Sequence, residues 1–220
     1  MQIISIPTEQ TTAATDLAVA LLALFFAFRV WRLSKYDDKK ANIWVTVFLL
    51  LSIAGVLGTI AHGLALDDKI RNLLWRPLYL SLGLLVSYFV VATVYDVWGE
   101  SITSRVVRPM IFLGVAFFVA AIAWPDDFII FIVYEAAAML FALIGYSWLT
   151  IRRLLNGAGL ILWGILLSIV AAAVQAGKLI AFQFIWQFDH NGTFHLIQIV
   201  ALAFLFMGLQ ISLIRKHKRS

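Results

Sequence analysis

Phe188-Asp189-His190-Asn191-Gly192-Thr193-Phe194-His195-Leu196-Ile197-Gln198 is the stretch on which the reading of the chain turns. It is a short polar interruption between two apolar runs, residues 160–186 and 193–214. Each run is long enough to cross a bilayer, which takes about 20 mostly apolar residues. The stretch therefore reads as a loop entering a membrane helix. Asn191-Gly192 supplies turn and cap chemistry at that junction. Two of the four histidines fall here, where polar residues are costly, so the stretch also reads as the edge of a functional site.

Outward from it, five further runs can span: residues 16–33, 43–66, 73–95, 106–124 and 128–150. The expected fold is an all-α, seven-transmembrane-helix bundle, a single domain over residues 1–220, because the connecting loops are too short for a second one. Composition agrees. The chain is 63% hydrophobic and 13% charged, against roughly 45–50% and ~25% in soluble domains. Cysteine is absent, which excludes a disulfide, a thiolate metal site and a cysteine nucleophile. Residues 1–15 contain no lysine or arginine, so the basic start of a cleavable signal peptide is missing and the first run is expected to stay. No internal repeat or low-complexity tract is present.

Lysine and arginine accumulate on the cytoplasmic side of membrane proteins. Thirteen of them fall in the first, third and fifth loops and the tail, whereas the opposite side has Lys69, Arg71 and Arg76. The N-terminus is therefore expected outside and the C-terminus in the cytoplasm. The net charge of +5 belongs to these loops and calls for no nucleic-acid partner. Tryptophans favour the headgroup level: Trp31, Trp44, Trp98 and Trp148 are expected at inner ends, and Trp75, Trp124 and Trp186 at outer ends.

At ~1.5 Å per helical residue, His62, Glu135, Lys178 and His195 all fall in the outer half of the membrane, with Asp16 at the outer end of the first helix. Ionisable groups within a span face the bundle interior or a wet cavity and mark function by default. Their convergence predicts one outward-opening polar pocket, surrounded by membrane lipids and suited to a lipid or small-molecule ligand. Gly55, Gly58, Thr59 and His62 recur at helical spacing, and small residues let a neighbouring helix approach. His195 and Gln198, three apart, share a face, and Asn191 is placed to cap that helix beside the pocket. His190 and His195 would diverge by roughly 140° on one helix, so they converge only if the helix starts after His190.

Two readings of the histidines stand side by side. In one, His62, His190 and His195 bind zinc and leave a position for water, the usual catalytic arrangement, in which the metal makes hydroxide available near neutrality. In the other they hydrogen-bond between helices or sit at the headgroup level. Glu135 and Lys178, at matched depth, either pair with each other, relieving the burial of both charges, or act separately, as a proton acceptor and a site for an anionic headgroup. Arg71 and Arg76 either meet phosphate or anchor the interface. Asp67-Asp68, Asp126-Asp127 and His217 read as solvated.

Thr11-Thr12-Ala13-Ala14-Thr15-Asp16, together with His190-Asn191 and Phe194 to Gln198, resembles an uncharacterised bacterial family of seven-helix membrane proteins. The resemblance implies the bacterial inner membrane as location. More remotely, the layout resembles the CREST superfamily, which includes alkaline ceramidases and adiponectin receptors. Those proteins bind zinc through one histidine on helix two and two on helix seven, near a serine and an aspartate. His62 matches the first of these histidines and His195 the last. The remaining histidine position falls on Asn191, with His190 one place off. The serine position is Gly58, beside Thr59, and the aspartate region reads Arg71-Asn72-Leu73-Leu74-Trp75-Arg76. The resemblance implies a zinc-dependent hydrolase of a lipid or amide bond. Zinc would sit on His62, His190 and His195, Asp189 or Glu135 would act as general base, and Lys178, Gln198 and Asn191 would meet the substrate. The alternative is a non-enzymatic receptor or sensor using the same pocket. A retinal Schiff base on Lys178 fits the chain's size, but microbial rhodopsins carry that lysine on helix seven. Haem on histidine pairs is disfavoured because the intramembrane histidines lie at one end.

Overall fold

A computed structural model describes residues 2–124 and 129–217. Its helices are α1 (Pro7–Trp31), α2 (Asp38–Gly63), α3 (Asp68–Trp98), α4 (Glu100–Ala123), α5 (Ile129–Ile151), α6 (Ala158–Gly177) and α7 (His190–His217). Two short antiparallel strands, β1 (Phe182–Gln183) and β2 (Gln187–Phe188), separate α6 from α7. All seven helices are long and apolar enough to cross a membrane. The protein is a multi-pass membrane protein of all-α architecture. In lipid the backbone can satisfy its own hydrogen bonds only as helix or closed barrel, so continuous apolar runs become helices. Asp126 and Asp127, and the end of the basic tail, lie outside the described residues.

Helix α1 packs on α2 and α7, α6 on α7, and α3 on α2, α4 and α5. Trp44, Phe48, Tyr146, Ile161 and Leu209 are fully buried at the centre, and Phe26 stacks on Phe206 with centroids 4.2 Å apart. Glycines set the closest crossings. A Cβ on Gly58 would lie 2.7 Å from the Asp16 carboxylate, so the small-residue face expected on α2 receives α1. At the other end, Gly157 (φ +84°) lies against the backbone of Gly208, and any Cβ there would meet Gly208 O at 2.2 Å.

Three boundaries depart from the sequence reading, and each moves a polar residue. Helix α1 begins at Pro7 rather than near Asp16. Proline suits the first helical position. Thr11, Thr12 and Thr15, which follow, are buried and spend their hydroxyls on backbone and side-chain acceptors. Asp16 is thus inside the helix, not at its end. Helix α6 stops at Gly177 instead of reaching Trp186, because Lys178 turns left-handed (φ 50°) and its N–H closes on Gln175 O and Val174 O. The hairpin beyond exposes Phe184, Ile185 and Trp186, as an interfacial loop does. Helix α7 begins at His190, earlier than residue 193, with Asp189 just ahead of its first residue.

The end of the bundle that carries the C-terminus holds a closed polar knot. Lys40 Nζ meets Asp96 Oδ1 at 2.5 Å, with side-chain exposures of 3% and 2%. Tyr146 donates its hydroxyl to Asp96 Oδ2 at 2.7 Å. Tyr95 donates to Asp37 Oδ1 at 2.8 Å, the oxygen that also caps α2 by accepting from Lys40 N–H. Lys39 and Glu100 form an exposed ion pair beside it. Lys40, counted from sequence as a loop cation, is therefore a core residue. Trp44, expected at an interface, is fully buried.

Candidate functional site

A cavity of ≈ 240 Å³ runs down the middle of the bundle from the end that carries the N-terminus. Six helices line it; of the seven, only α4 contributes nothing. Most of its wall is aliphatic or aromatic, including Trp44, Phe48, Phe89 and Phe131. Its polar lining is Asp16 of α1, His62 of α2, Glu135 of α5, Ser168 and Gln175 of α6, and Asn191, His195 and Gln198 of α7. Of the residues expected to converge, His62, Glu135 and His195 line this cavity and Lys178 does not; α6 contributes Ser168 and Gln175 instead, and α1 and α3 complete the wall.

His195 is held at both nitrogens. Its Nδ1 lies 3.0 Å from Thr15 Oγ1. The Thr15 hydroxyl has one proton, and Thr11 O and Thr12 O take it, both at 2.9 Å. Nδ1–H of His195 is therefore the donor to Thr15. Nε2 then lies 3.2 Å from Asp16 Oδ1, with side-chain exposures of 12% and 11%. Gly55 and Gly58 let α1 come close enough to set Asp16 there. His62 has a separate partner: its Nδ1 is 2.6 Å from Glu9 Oε2, and Trp75 meets the ring edge-on at 5.7 Å. The cavity thus has two histidine–carboxylate pairs at its polar end.

The remaining residues read from sequence are distributed differently. Asp189 caps α7: its Oδ1 accepts from Asn191 N–H at 3.0 Å, Gly192 N–H at 2.9 Å and Thr12 at 3.3 Å. Loaded with these donors, that oxygen fits a structural cap better than a general base. Asn191, expected as the cap, lies two residues further on and accepts from Gln175 Nε2 at 3.1 Å, joining α6 to α7 across the cavity. His190 is the first residue of α7, so the helix does not start late enough to fold it back beside His195. Lys178 is exposed at the end of α6, and no ion pair joins it to Glu135. The matched depths assumed α6 continued to Trp186, and it does not. Arg71 stays near its own helix start, donating to Leu66 O at 3.2 Å and facing Asp68 at 3.6 Å.

Among the described residues, no three histidine or carboxylate groups come together to hold a metal ion. The donor set tells why. Both ring nitrogens of His195 are engaged, His62 is tied to Glu9, and His190 opens α7 five residues before His195 and does not line the cavity. As placed, these residues do not fit a three-histidine zinc centre.

Residues 11–213 match the model of a family of unknown function, DUF6962. The chain belongs to this family. No curated protein and no solved structure matches it. The matched range covers every cavity-lining element in this family member, Asp16 through Leu205.

Three atoms define the site further, one on Gln198, which the sequence marked, and two on residues it did not mark as part of the site. Trp44 Nε1, Ser168 Oγ and Gln198 Oε1 are buried without a hydrogen-bond partner, and all three residues line the cavity. Buried polar atoms are almost always satisfied, and leaving one unmade costs about 1–3 kcal/mol. Ser168 and Trp44 each stand within long apolar runs, with no spacing signal to mark them. Glu9 lies outside the expected first span, so its contact with His62 was invisible at that stage.

Proposed function

We propose that the protein is a membrane receptor or binding protein for an amphipathic small molecule held in the central cavity. The observation that carries this reading is the set of three unpartnered buried atoms, a donor (Trp44 Nε1), a hydroxyl that can do either (Ser168 Oγ) and an acceptor (Gln198 Oε1), set in a mostly apolar chamber. An apolar ligand body bearing a few polar groups supplies what the wall lacks. Small-molecule sites have this make-up, mostly apolar with a few placed polar groups, in cavities of roughly 300–1,000 Å³. The cavity here is slightly smaller. The two histidine–carboxylate pairs then form the polar mouth, the part of the chamber that faces the ligand's polar end.

The mouth opens to the extracytoplasmic side in this reading. The lysine and arginine bias supports that orientation, with the bacterial inner membrane as the setting. A C-terminal reporter active only outside the cytoplasm should stay silent.

Native mass spectrometry of the purified protein tests the binding function. We expect an adduct of one small molecule per chain, and its loss in Ser168→Phe, which fills the chamber. An unchanged adduct in a folded Ser168→Phe protein would place the ligand elsewhere and sink the reading. The same sample decides the zinc hydrolase implied by the CREST resemblance. That enzyme requires His195 to release Asp16 or Thr15. Stoichiometric zinc, lost in His62→Ala, would restore it over the receptor.

A further inference from the structure

A second cavity of ≈ 280 Å³ lies between α5 and α6. Apart from Glu135 and Gln175 its wall is entirely apolar, and Ala172, Ala173 and Ala176 keep the α6 side shallow. Glu135, Met139 and Gln175 line both this cleft and the central cavity. These three shared residues stand where the two spaces adjoin. Ala136, Leu140, Ala173 and Ala176 of its wall are exposed on two spanning helices, so the cleft opens on the outer face of the bundle, towards lipid.

Glu135 stands out among the titratable groups of the two cavities. Asp16 has His195 and His62 has Glu9, whereas Glu135 has no hydrogen-bond or ion-pair partner among the described residues. No lysine or arginine lines either space. A lone carboxyl inside a membrane protein marks a site for a cation or proton by default. Aromatic faces are close in the same chamber: Phe131 lies one turn before Glu135 on α5, and Trp44, Phe48 and Phe89 line the wall beyond. Such faces attract ammonium groups. The titratable groups that face Glu135 from the other helices of the chamber are Asp16, His62 and His195, so acids are not outnumbered by bases.

We propose that the cavity takes a lipophilic amine from the bilayer through the α5–α6 cleft and pairs its ammonium with the Glu135 carboxylate. This rests on the receptor reading and names its ligand class and route. The alkyl body follows the apolar walls, Met139 yields as a flexible gate, and Gln175, tethered to Asn191 on α7, reports occupancy to the mouth of the chamber.

The test uses the full chain in phosphatidylcholine nanodiscs, with dodecylamine and dodecanol as probes and tryptophan fluorescence as readout, since Trp44 lines the chamber. Wild type should bind dodecylamine saturably and at least tenfold tighter than dodecanol. Glu135→Gln, which keeps the shape, should remove that tenfold preference while leaving dodecanol binding in place. Ala173→Trp, which fills the cleft, should slow dodecylamine association at least tenfold. Equal affinities for the two probes in wild type, or a preference that survives Glu135→Gln, would overturn the amine assignment and leave the receptor reading standing. An unchanged association rate in Ala173→Trp would move the route elsewhere. Failure of both probes to bind wild type would instead strike the receptor reading itself.

Discussion

The two ends of the bundle both bury charge, and they do so in opposite ways. At the C-terminal end, Lys40, Asp96 and Tyr146 close on one another, with Lys40 and Asp96 only 3% and 2% exposed. At the N-terminal end, Asp16 and His195 meet at 3.2 Å, beside a chamber whose Trp44 Nε1, Ser168 Oγ and Gln198 Oε1 have no partner among the described residues. Glu135 has none there either. The first arrangement is complete and ties α2, α3 and α5 together. The second leaves polar atoms without a partner among the described residues. Buried charge occurs at both ends, so it does not by itself separate them; the unmet atoms do, and the receptor proposal rests on them.

The largest effect is expected at the closed end. Lys40→Met leaves Asp96 buried without its cation and should cost about 3–5 kcal/mol, read as unfolding free energy in mixed micelles. Adding Asp96→Asn should recover most of that loss, because the amide carries no charge and still accepts from Tyr146. A double variant as unstable as the single one would mean that the knot stabilises by shape rather than charge.

Gly58→Leu comes next. It drives a side chain into the space of the Asp16 carboxylate, and overpacking of this kind costs about 1–3 kcal/mol. It should also remove the small-molecule adduct, because Asp16 and His195 are pushed apart at the mouth. Retention of the adduct would detach the Asp16–His195 pair from the site.

Asp16→Asn sharpens the contrast. The asparagine amide can donate to His195 Nε2, so the change should stay within about 1 kcal/mol. A loss comparable to that of Lys40→Met would make Asp16–His195 a structural ion pair like the one at the other end. The smallest effect belongs to Ser168→Ala. Removing an unpartnered buried hydroxyl should leave the ligand-free protein unchanged or more stable by up to about 1 kcal/mol, while weakening ligand binding. A destabilised ligand-free protein would show that the hydroxyl has a partner after all.

Much of the fold was legible in the sequence, and less of the site. His62, Glu135, Asn191, His195 and Gln198 were each read as pocket residues, and each lines the cavity. Helix rotation was legible where small residues recurred, as on the Gly55–Gly58 face. Asp189 and Lys178 were misplaced because their surroundings depend on where a helix stops. The left-handed Lys178 and the three donors on Asp189 Oδ1 are decided by local hydrogen bonds that hydropathy does not register.

Sequence by itself determined the seven spans, because crossing a bilayer is a property of about 20 consecutive residues and of nothing farther away. It also marked His62, Glu135, His195 and Gln198 within those spans, though not Lys40 or the exposure of Lys178. Tertiary structure alone chose their partners: His195 with Asp16 and Thr15, His62 with Glu9, Lys40 with Asp96, and Glu135 with none. Those choices depend on the rotation and depth of helices that meet across 50 to 180 residues of chain. They are set by which glycines let two backbones approach, and no window of local sequence contains both sides of that contact.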